Sequence, residues 1–272
     1  MIKLPDCLFT SCKSLTKFKF RGGGRDMTDF ALPNIPIYFP RLKYLELTGV
    51  SLLGDENLTS KLFSSCPVLE SLLLTECSVK FHFSSLILKH FKLDNYDTYD
   101  STDEYAITVK LSAPNLTSLI CKDYMSRDYS LENLSSLVTA DIGMRVKDKE
   151  NFAPERPKIY SELATDVREM YGARMIKFIR AVRNVTDLKL SSPGFLEVVS
   201  GSLDLLGDLN FQFCDLRFLN IVTWVSGNCM NALAYLVKIS PNIQSIFLTI
   251  QQTELDTNSP GGDWIVGLSS FP

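Results

Sequence analysis

Apolar residues return along this chain in a fixed phrase. A small residue, often followed by Pro and one further position, precedes L-x-x-L-x-L. The phrase reads Cys66-Pro67-Val68-Leu69-Glu70-Ser71-Leu72-Leu73-Leu74, and again Phe39-Pro40-Arg41-Leu42-Lys43-Tyr44-Leu45-Glu46-Leu47. It also reads Ala113-Pro114-Asn115-Leu116-Thr117-Ser118-Leu119-Ile120-Cys121 and Ser240-Pro241-Asn242-Ile243-Gln244-Ser245-Ile246-Phe247-Leu248. Pro-less copies run from Cys12 to Phe20, Val182 to Leu190 and Phe213 to Ile221, and weaker ones from Leu88 to Leu93 and Leu137 to Ile142. The middle apolar position falls at 18, 45, 72, 91, 119, 140, 188, 219 and 246, so the successive differences are 27, 27, 19, 28, 21, 48, 31 and 27.

A phrase returning at about 20–29 residues is the signature of a leucine-rich-repeat solenoid. The expected fold class is α/β, with a curved parallel sheet on the concave side and helices and loops on the convex side. In each phrase the closing x-L-x-L-x is a strand, and alternation along it turns the apolar residues inward and their neighbours to the concave face. Those neighbours are Lys17, Lys19 and Arg21, then Tyr44, Glu46 and Thr48, then Ser71, Leu73 and Thr75, then His90, Lys92 and Asp94. Later copies give Ser118, Ile120 and Lys122, then Asp187, Lys189 and Ser191, then Phe218, Asn220 and Val222, then Ser245, Phe247 and Thr249. A register error of one residue would send all of them inward. Between phrases, Asn57 to Ser65 and Cys229 to Ile239 carry apolar residues at helical spacing, the second with Ser226 or Asn228 as cap. Pro40, Pro67, Pro114 and Pro241 recur at one register because Pro stops a helix and suits the turn into the next strand.

Three stretches break the pattern. Arg21 to Pro40, with Gly22-Gly23-Gly24 and three prolines, reads as a loop with little strand character. Asp94 to Glu104 reads as an exposed acidic loop, without the Gly and terminal Glu places of a calcium-binding loop. Gly143 to Tyr171 is charged and leads into a helix near 159–182, which accounts for the gap of 48. The expected organisation is therefore a repeat domain over 1–250 with an insertion near 143–175, and a turn-rich tail over 251–272.

The chemistry that the chain carries is sparse. A net charge of −3 gives no reason to expect nucleic acid or an anionic membrane, and no apolar run reaches membrane-spanning length. His82 and His90 have no Cys or carboxylate at zinc-ligand spacing. Gly22 to Gly24 lacks the phosphate-loop spacing, and no G-x-S-x-G elbow is present. No catalytic, cofactor or metal site is expected. Seven cysteines, with Cys12 and Cys66 at one repeat position, read as small core residues rather than a disulfide framework. The sequons at Asn115 and Asn184 share a repeat position, so the repeat itself generates them. With no apolar leader after Met1, the expected location is cytoplasmic and/or nuclear. The candidate protein-binding face is Lys17, Lys19, Tyr44, Glu46, Leu73, His90, Lys92, Lys122, Asp187, Lys189, Phe218, Asn220 and Phe247, where charge surrounds exposed apolar groups.

The phrases resemble those of the plant F-box/LRR and F-box/FBD/LRR proteins. The resemblance is carried by Leu4-Pro5-Asp6-Cys7-Leu8-Phe9, Phe39 to Leu47, Leu62 to Cys77, Ser112 to Leu116, Asn184 to Leu190 and Ser240 to Ser245. It implies a non-catalytic module that selects protein targets for an SCF-type ubiquitin ligase, the F-box binding a Skp-type adaptor. Here the first phrase begins within a dozen residues of Met1, and the chain ends soon after Asp263-Trp264. The expectation is therefore a repeat unit without F-box and with only the start of an FBD-like region. Adaptor binding is then not expected, and the alternative is a stand-alone repeat scaffold or decoy. The target protein is not named by the sequence.

Overall fold

The computed structural model describes residues 2–22, 28–31, 37–51, 58–77, 81–95, 108–146, 160, 162–207 and 211–251. The first half holds β1 (Ile2–Lys3), α1 (Asp6–Ser11), β2 (Lys17–Arg21), β3 (Thr28–Ala31), β4 (Tyr44–Thr48), β5 (Val50–Ser51), α2 (Leu58–Ser64) and β6 (Ser71–Thr75). Next come β7 (Phe81–Ser84), β8 (His90–Asp94), β9 (Thr108–Ser112), β10 (Ser118–Tyr124), β11 (Asp128–Glu132) and β12 (Thr139–Arg145). The last part holds α3 (Thr165–Ala181), β13 (Asp187–Leu190), α4 (Phe195–Ser200), α5 (Asp204–Gly207), β14 (Phe218–Trp224), α6 (Gly227–Lys238) and β15 (Ser245–Gln251). Among the described residues no helix is long and apolar enough to cross a membrane.

One sheet dominates. Its nine strands lie in the order β15-β14-β13-β12-β10-β8-β6-β4-β2, and every pair is parallel. Phe18, Leu45, Leu72, Phe91, Leu119, Ala140, Leu188, Leu219 and Ile246 pair in one continuous row across it. These are the nine middle apolar positions of the repeated phrase. The phrase thus sets the register, because a shift of one residue would expose the whole row. The fold is a leucine-rich-repeat solenoid.

The start of the phrase has its own geometry. The N–H groups of Leu42, Leu69, Leu116 and Ile243 donate to the carbonyls of Phe39, Cys66, Ala113 and Ser240, each closing a β-turn with Pro in its second place. Proline is preset for that place by its fixed φ. Three copies without Pro close the same turn, Leu15 to Cys12, Leu137 to Leu134 and Val185 to Val182. After the turn, one carbonyl of the preceding coil accepts two N–H groups. Lys43 O takes those of Glu70 and Ser71, Glu70 O those of Lys89 and His90, and the pattern continues to Arg217 O, which takes Gln244 and Ser245. Each coil is thereby pinned to its neighbour before its strand begins.

The return side departs from helices and loops in part. β3, expected as loop, pairs in parallel with β1 and β5, and β7, β9 and β11 form a second three-stranded sheet. Buried backbone needs partners, and the next coil supplies them. The two shortest coils, of 19 and 21 residues, return through β7 and β11. A strand rises about 3.3 Å per residue against about 1.5 Å for a helix, so only a strand completes so short a return. Of the longer coils, those of 27 and 28 residues that hold β3 and β9 also return through strands, and the others return through α2, α3, α4 and α6. Ser226 caps α6, its Oγ accepting the Cys229 N–H at 3.0 Å. The acidic stretch, expected as an exposed loop, begins inside β8 with Asp94, and Asn95 after it is fully buried, its Oδ1 accepting the Cys77 N–H at 2.9 Å, while 96–104 lie outside the described residues. The tail over 252–272 also lies outside them.

Apolar side chains of the sheet and the return side form one core, with Leu45, Leu47, Leu72, Leu74, Ile142, Leu190 and Ile221 fully buried. Cys66, Cys77, Cys121 and Cys229 are buried free thiols within it, whereas Cys12, expected in the core at the same repeat position as Cys66, is only half-buried, and Cys7 and Cys214 are exposed. Burial pushes Cys66 up to about 12 and Cys77 up to about 11. At β15 the same inward rows are open, with Ile246 44% and Ile250 48% exposed.

Candidate protein-binding face

Outward side chains of the nine strands form three further rows between the apolar ones. All thirteen residues of the expected face lie in these rows. Lys17, Tyr44, His90, Asp187 and Phe218 share the first, and Lys19, Glu46, Leu73, Lys92, Lys189, Asn220 and Phe247 the next, with Lys122 one step beyond. The rows are not uniform, and they divide into three zones along the solenoid.

The first zone is basic. Lys17, Lys19 and Arg21 are exposed on one face of β2. Lys17 Nζ lies 4.5 Å, and Lys19 Nζ 5.4 Å, from the centre of the Tyr44 ring. Such contacts contribute about 0.5–1 kcal/mol at exposed sites. Lys19 pairs with Glu46 at 2.5 Å, and the Tyr44 hydroxyl donates to the same carboxylate at 2.7 Å. The Lys19 ammonium and the Tyr44 hydroxyl hold the Glu46 carboxyl below its ordinary range, and Glu46 in turn holds Lys19 above its own. Tyr44 is raised, first by burial and then by donating to Glu46.

The middle zone is a set of compensated charges. Lys92 pairs with Asp94 at 3.1 Å, and Lys122 and Lys189 both reach Asp141 at 3.5 Å. Along the rim, Glu70 bridges Lys43 at 2.8 Å and Lys89 at 2.9 Å, and these two lysines bring its carboxyl down to about 2. Leu73 and His90 also lie in this zone.

The third zone is apolar. A cleft of about 450 Å³ opens where the outward side chains are short, at Ser118, Thr139 and Ser245, and Phe218 and Phe247 form its wall. Phe218 is 48% and Phe247 64% exposed, and Ile120, Asp141, Asp187, Lys189 and Asn220 also line the cleft. The sequence reading missed Thr139 and Asp141. Their signal was the weakest repeat copy, Leu137 to Ile142, whose outward positions follow from the same alternation.

Two polar clusters lie away from this face. Asp123 is fully buried and meets Arg127 at 3.2 Å, and it also accepts the Tyr129 hydroxyl. Glu197 accepts from Ser226 Oγ at 2.7 Å and Asn228 Nδ2 at 2.8 Å at the start of α6. Burial works to raise the Glu197 carboxyl, but these donors prevail and hold it below its ordinary range. Both clusters tie strand to return or helix to helix. Among the described residues no group of three or more His, Cys, Asp or Glu is placed to hold a metal ion.

Residues 1–140 match the family described as "FBD-associated F-box protein At5g56370, LRR repeats". Similar proteins of Arabidopsis thaliana include F-box/LRR-repeat protein At3g59250, 33% identical over 146 residues that make 53% of this chain and 32% of the relative. F-box/LRR-repeat protein At4g14103 is 28% identical over 249 residues, 86% of this chain and 57% of the relative. F-box/LRR-repeat protein At3g59200 is 30% identical over 191 residues, 70% of this chain and 36% of the relative. The chain therefore spans between 32% and 57% of the length of these relatives. No solved structure matches the chain.

Proposed function

The chain belongs to the plant F-box/LRR-repeat family, and from that premise we propose that it is a non-catalytic protein-binding module, the target-selecting part of an SCF-type ubiquitin-ligase receptor. The observation that carries this reading is the outward face of the nine-stranded sheet. Its first zone is charged and its last exposes Phe218 and Phe247 beside a cleft. Exposed apolar groups rimmed by polar ones are what a protein interface needs, and buried aromatic anchors carry most of the energy of such contacts. A non-enzymatic role agrees with the placement of the histidines. His82 lies on return strand β7 and His90 on the outward face of β8, so the sheet separates them.

The test is capture from a plant cell extract by the immobilised chain, with Phe218→Ala/Phe247→Ala and the return-side variant His82→Ala alongside. Proteins held by the wild type and by His82→Ala, and lost with the double variant, support the reading. Equal capture by all three chains overturns it. Ligase recruitment is a separate arm, because a purified Skp-type adaptor either binds the chain or does not. Binding supports the receptor reading, and its absence leaves a stand-alone scaffold or decoy using the same face.

A further inference from the structure

Resting on that reading, we infer that the face takes a polarised protein segment, its acidic end on Lys17, Lys19 and Arg21 and its apolar end on Phe218 and Phe247. The two ends of the sheet differ in kind. Three like charges stand on one face of β2, at every second residue and all exposed. Among the described residues one carboxylate, Glu46, meets this strip, and it pairs with Lys19. Glu46 thus offsets one charge of three, and the strip keeps a surplus of two. Like charges side by side repel, so a partner that supplies carboxylates there relieves a standing cost. At the other end, the outward positions of β14 and β15 carry no charge, being Phe218, Asn220, Val222, Ser245, Phe247 and Thr249. Between the ends, Lys92, Lys122 and Lys189 stand against Asp94, Asp141 and Asp187, three charges of each sign, and ask for little.

The spacing fixes the size of the occupant. β2 and β14 are seven strand intervals apart in the sheet order. At about 4.8 Å per interval this is roughly 34 Å. An extended chain covers that in about ten residues. A polarised segment of this length would also bind in one direction only.

Lysines on an edge strand can serve another purpose, keeping sheets from pairing edge to edge. The charge-reversed variant Lys17→Glu/Lys19→Glu/Arg21→Glu separates the two roles, because it keeps the edge charged while inverting what it recognises. The probe is a phage library of random twelve-residue peptides, selected on the wild-type chain. Recovered peptides are then titrated by fluorescence polarisation against the charge-reversed variant and against Phe218→Ala/Phe247→Ala, each shown folded by circular dichroism. The expected peptides carry Asp or Glu toward one end and Phe, Trp or Leu toward the other. Each variant should weaken them about tenfold or more, as loss of an anchor does. The charge-dependent part should also fall at high salt. Peptides that need Phe218 and Phe247 but lack an acidic end, or that ignore charge reversal, overturn this inference and leave the protein-binding reading standing. Recovery of no peptide by the folded chain also overturns this inference, and the capture test then decides the protein-binding reading. Preference for a single-stranded oligonucleotide over an acidic peptide overturns the choice of a protein partner.

Discussion

Replacing Asp123 by Ala should be among the most damaging single changes behind the sheet. Asp123 is the last inward-facing residue of β10 and is fully buried, and its partners Arg127 and Tyr129 are 5% and 3% exposed. The carboxylate reaches forward across the turn to hold β11, meeting Arg127 at 3.2 Å and accepting the Tyr129 hydroxyl. Burial is the larger influence on its ionisation and pushes the Asp123 carboxyl up, with Arg127 and Tyr129 opposing. A raised carboxyl contributes stability below its unfolded value and loses it as pH rises through the folded one. Burial thus opposes the ionised form that pairs with Arg127. Two consequences diverge from this. Asp123→Ala removes the buried carboxylate that both Arg127 and Tyr129 meet, which costs about 3–5 kcal/mol. Removing the charges together, as Asp123→Leu/Arg127→Met/Tyr129→Phe, should be near neutral or stabilising for the same reason. Urea unfolding followed by far-ultraviolet circular dichroism measures both, and hydrogen exchange locates the loss in β10 and β11, because coils of a solenoid lean only on their neighbours. A cost below about 1 kcal/mol for Asp123→Ala, or a triple variant no better than the single one, would refute the reasoning.

Other expectations follow from packing and charge. A Cβ on Gly194 would overlap the ring of buried Tyr160, which stands edge-on to Trp224 at 5.3 Å, so Gly194→Ala should cost about 1–3 kcal/mol in urea unfolding. Gly227→Ala, with nothing within 4 Å at the start of α6, should instead gain about 0.4–1 kcal/mol. Leu219→Ala and Ile246→Ala change one row of the sheet, but Leu219 is 2% and Ile246 44% exposed. The first should cost about 2–5 kcal/mol and the second well under half of that, and equal costs would contradict the end of the core seen at β15. The Glu70 carboxyl, lowered to about 2 by Lys43 and Lys89, contributes stability above its unfolded value and loses it as pH falls through about 2. Carbon-detected NMR titration should show that midpoint moving up toward the ordinary carboxylate range in Lys43→Gln/Lys89→Gln and in high salt, since exposed pairs are screened.

What could be read from the sequence was whatever the repeat itself enforces. The inward row from Phe18 to Ile246 was legible because each copy spaces two apolar residues at strand alternation, and nine copies fix one register together. All thirteen face residues followed as the positions between. What no single copy enforces stayed hidden. β7 is four residues, Phe81–Ser84, too short for alternation to separate strand from loop, and its existence depends on β9 beside it. α4 buries Phe195, Leu196, Val198 and Val199 on nearly every side, so it shows no amphipathic period to read. Asp123, Arg127 and Tyr129 look in sequence like a solvated polar turn, because charged residues are rarely buried unless paired, and pairing is a fact of three dimensions. The zoning of the face is of the same kind. Each coil contributes only two or three outward residues, and none of them is polarised by itself. The basic strip exists because β2 carries all three of its cations on one side. The cleft exists because small side chains of β10, β12 and β15 fall opposite Phe218 and Phe247. The repeat dictates where a residue points, while the differences among the repeats dictate what the assembled face can hold.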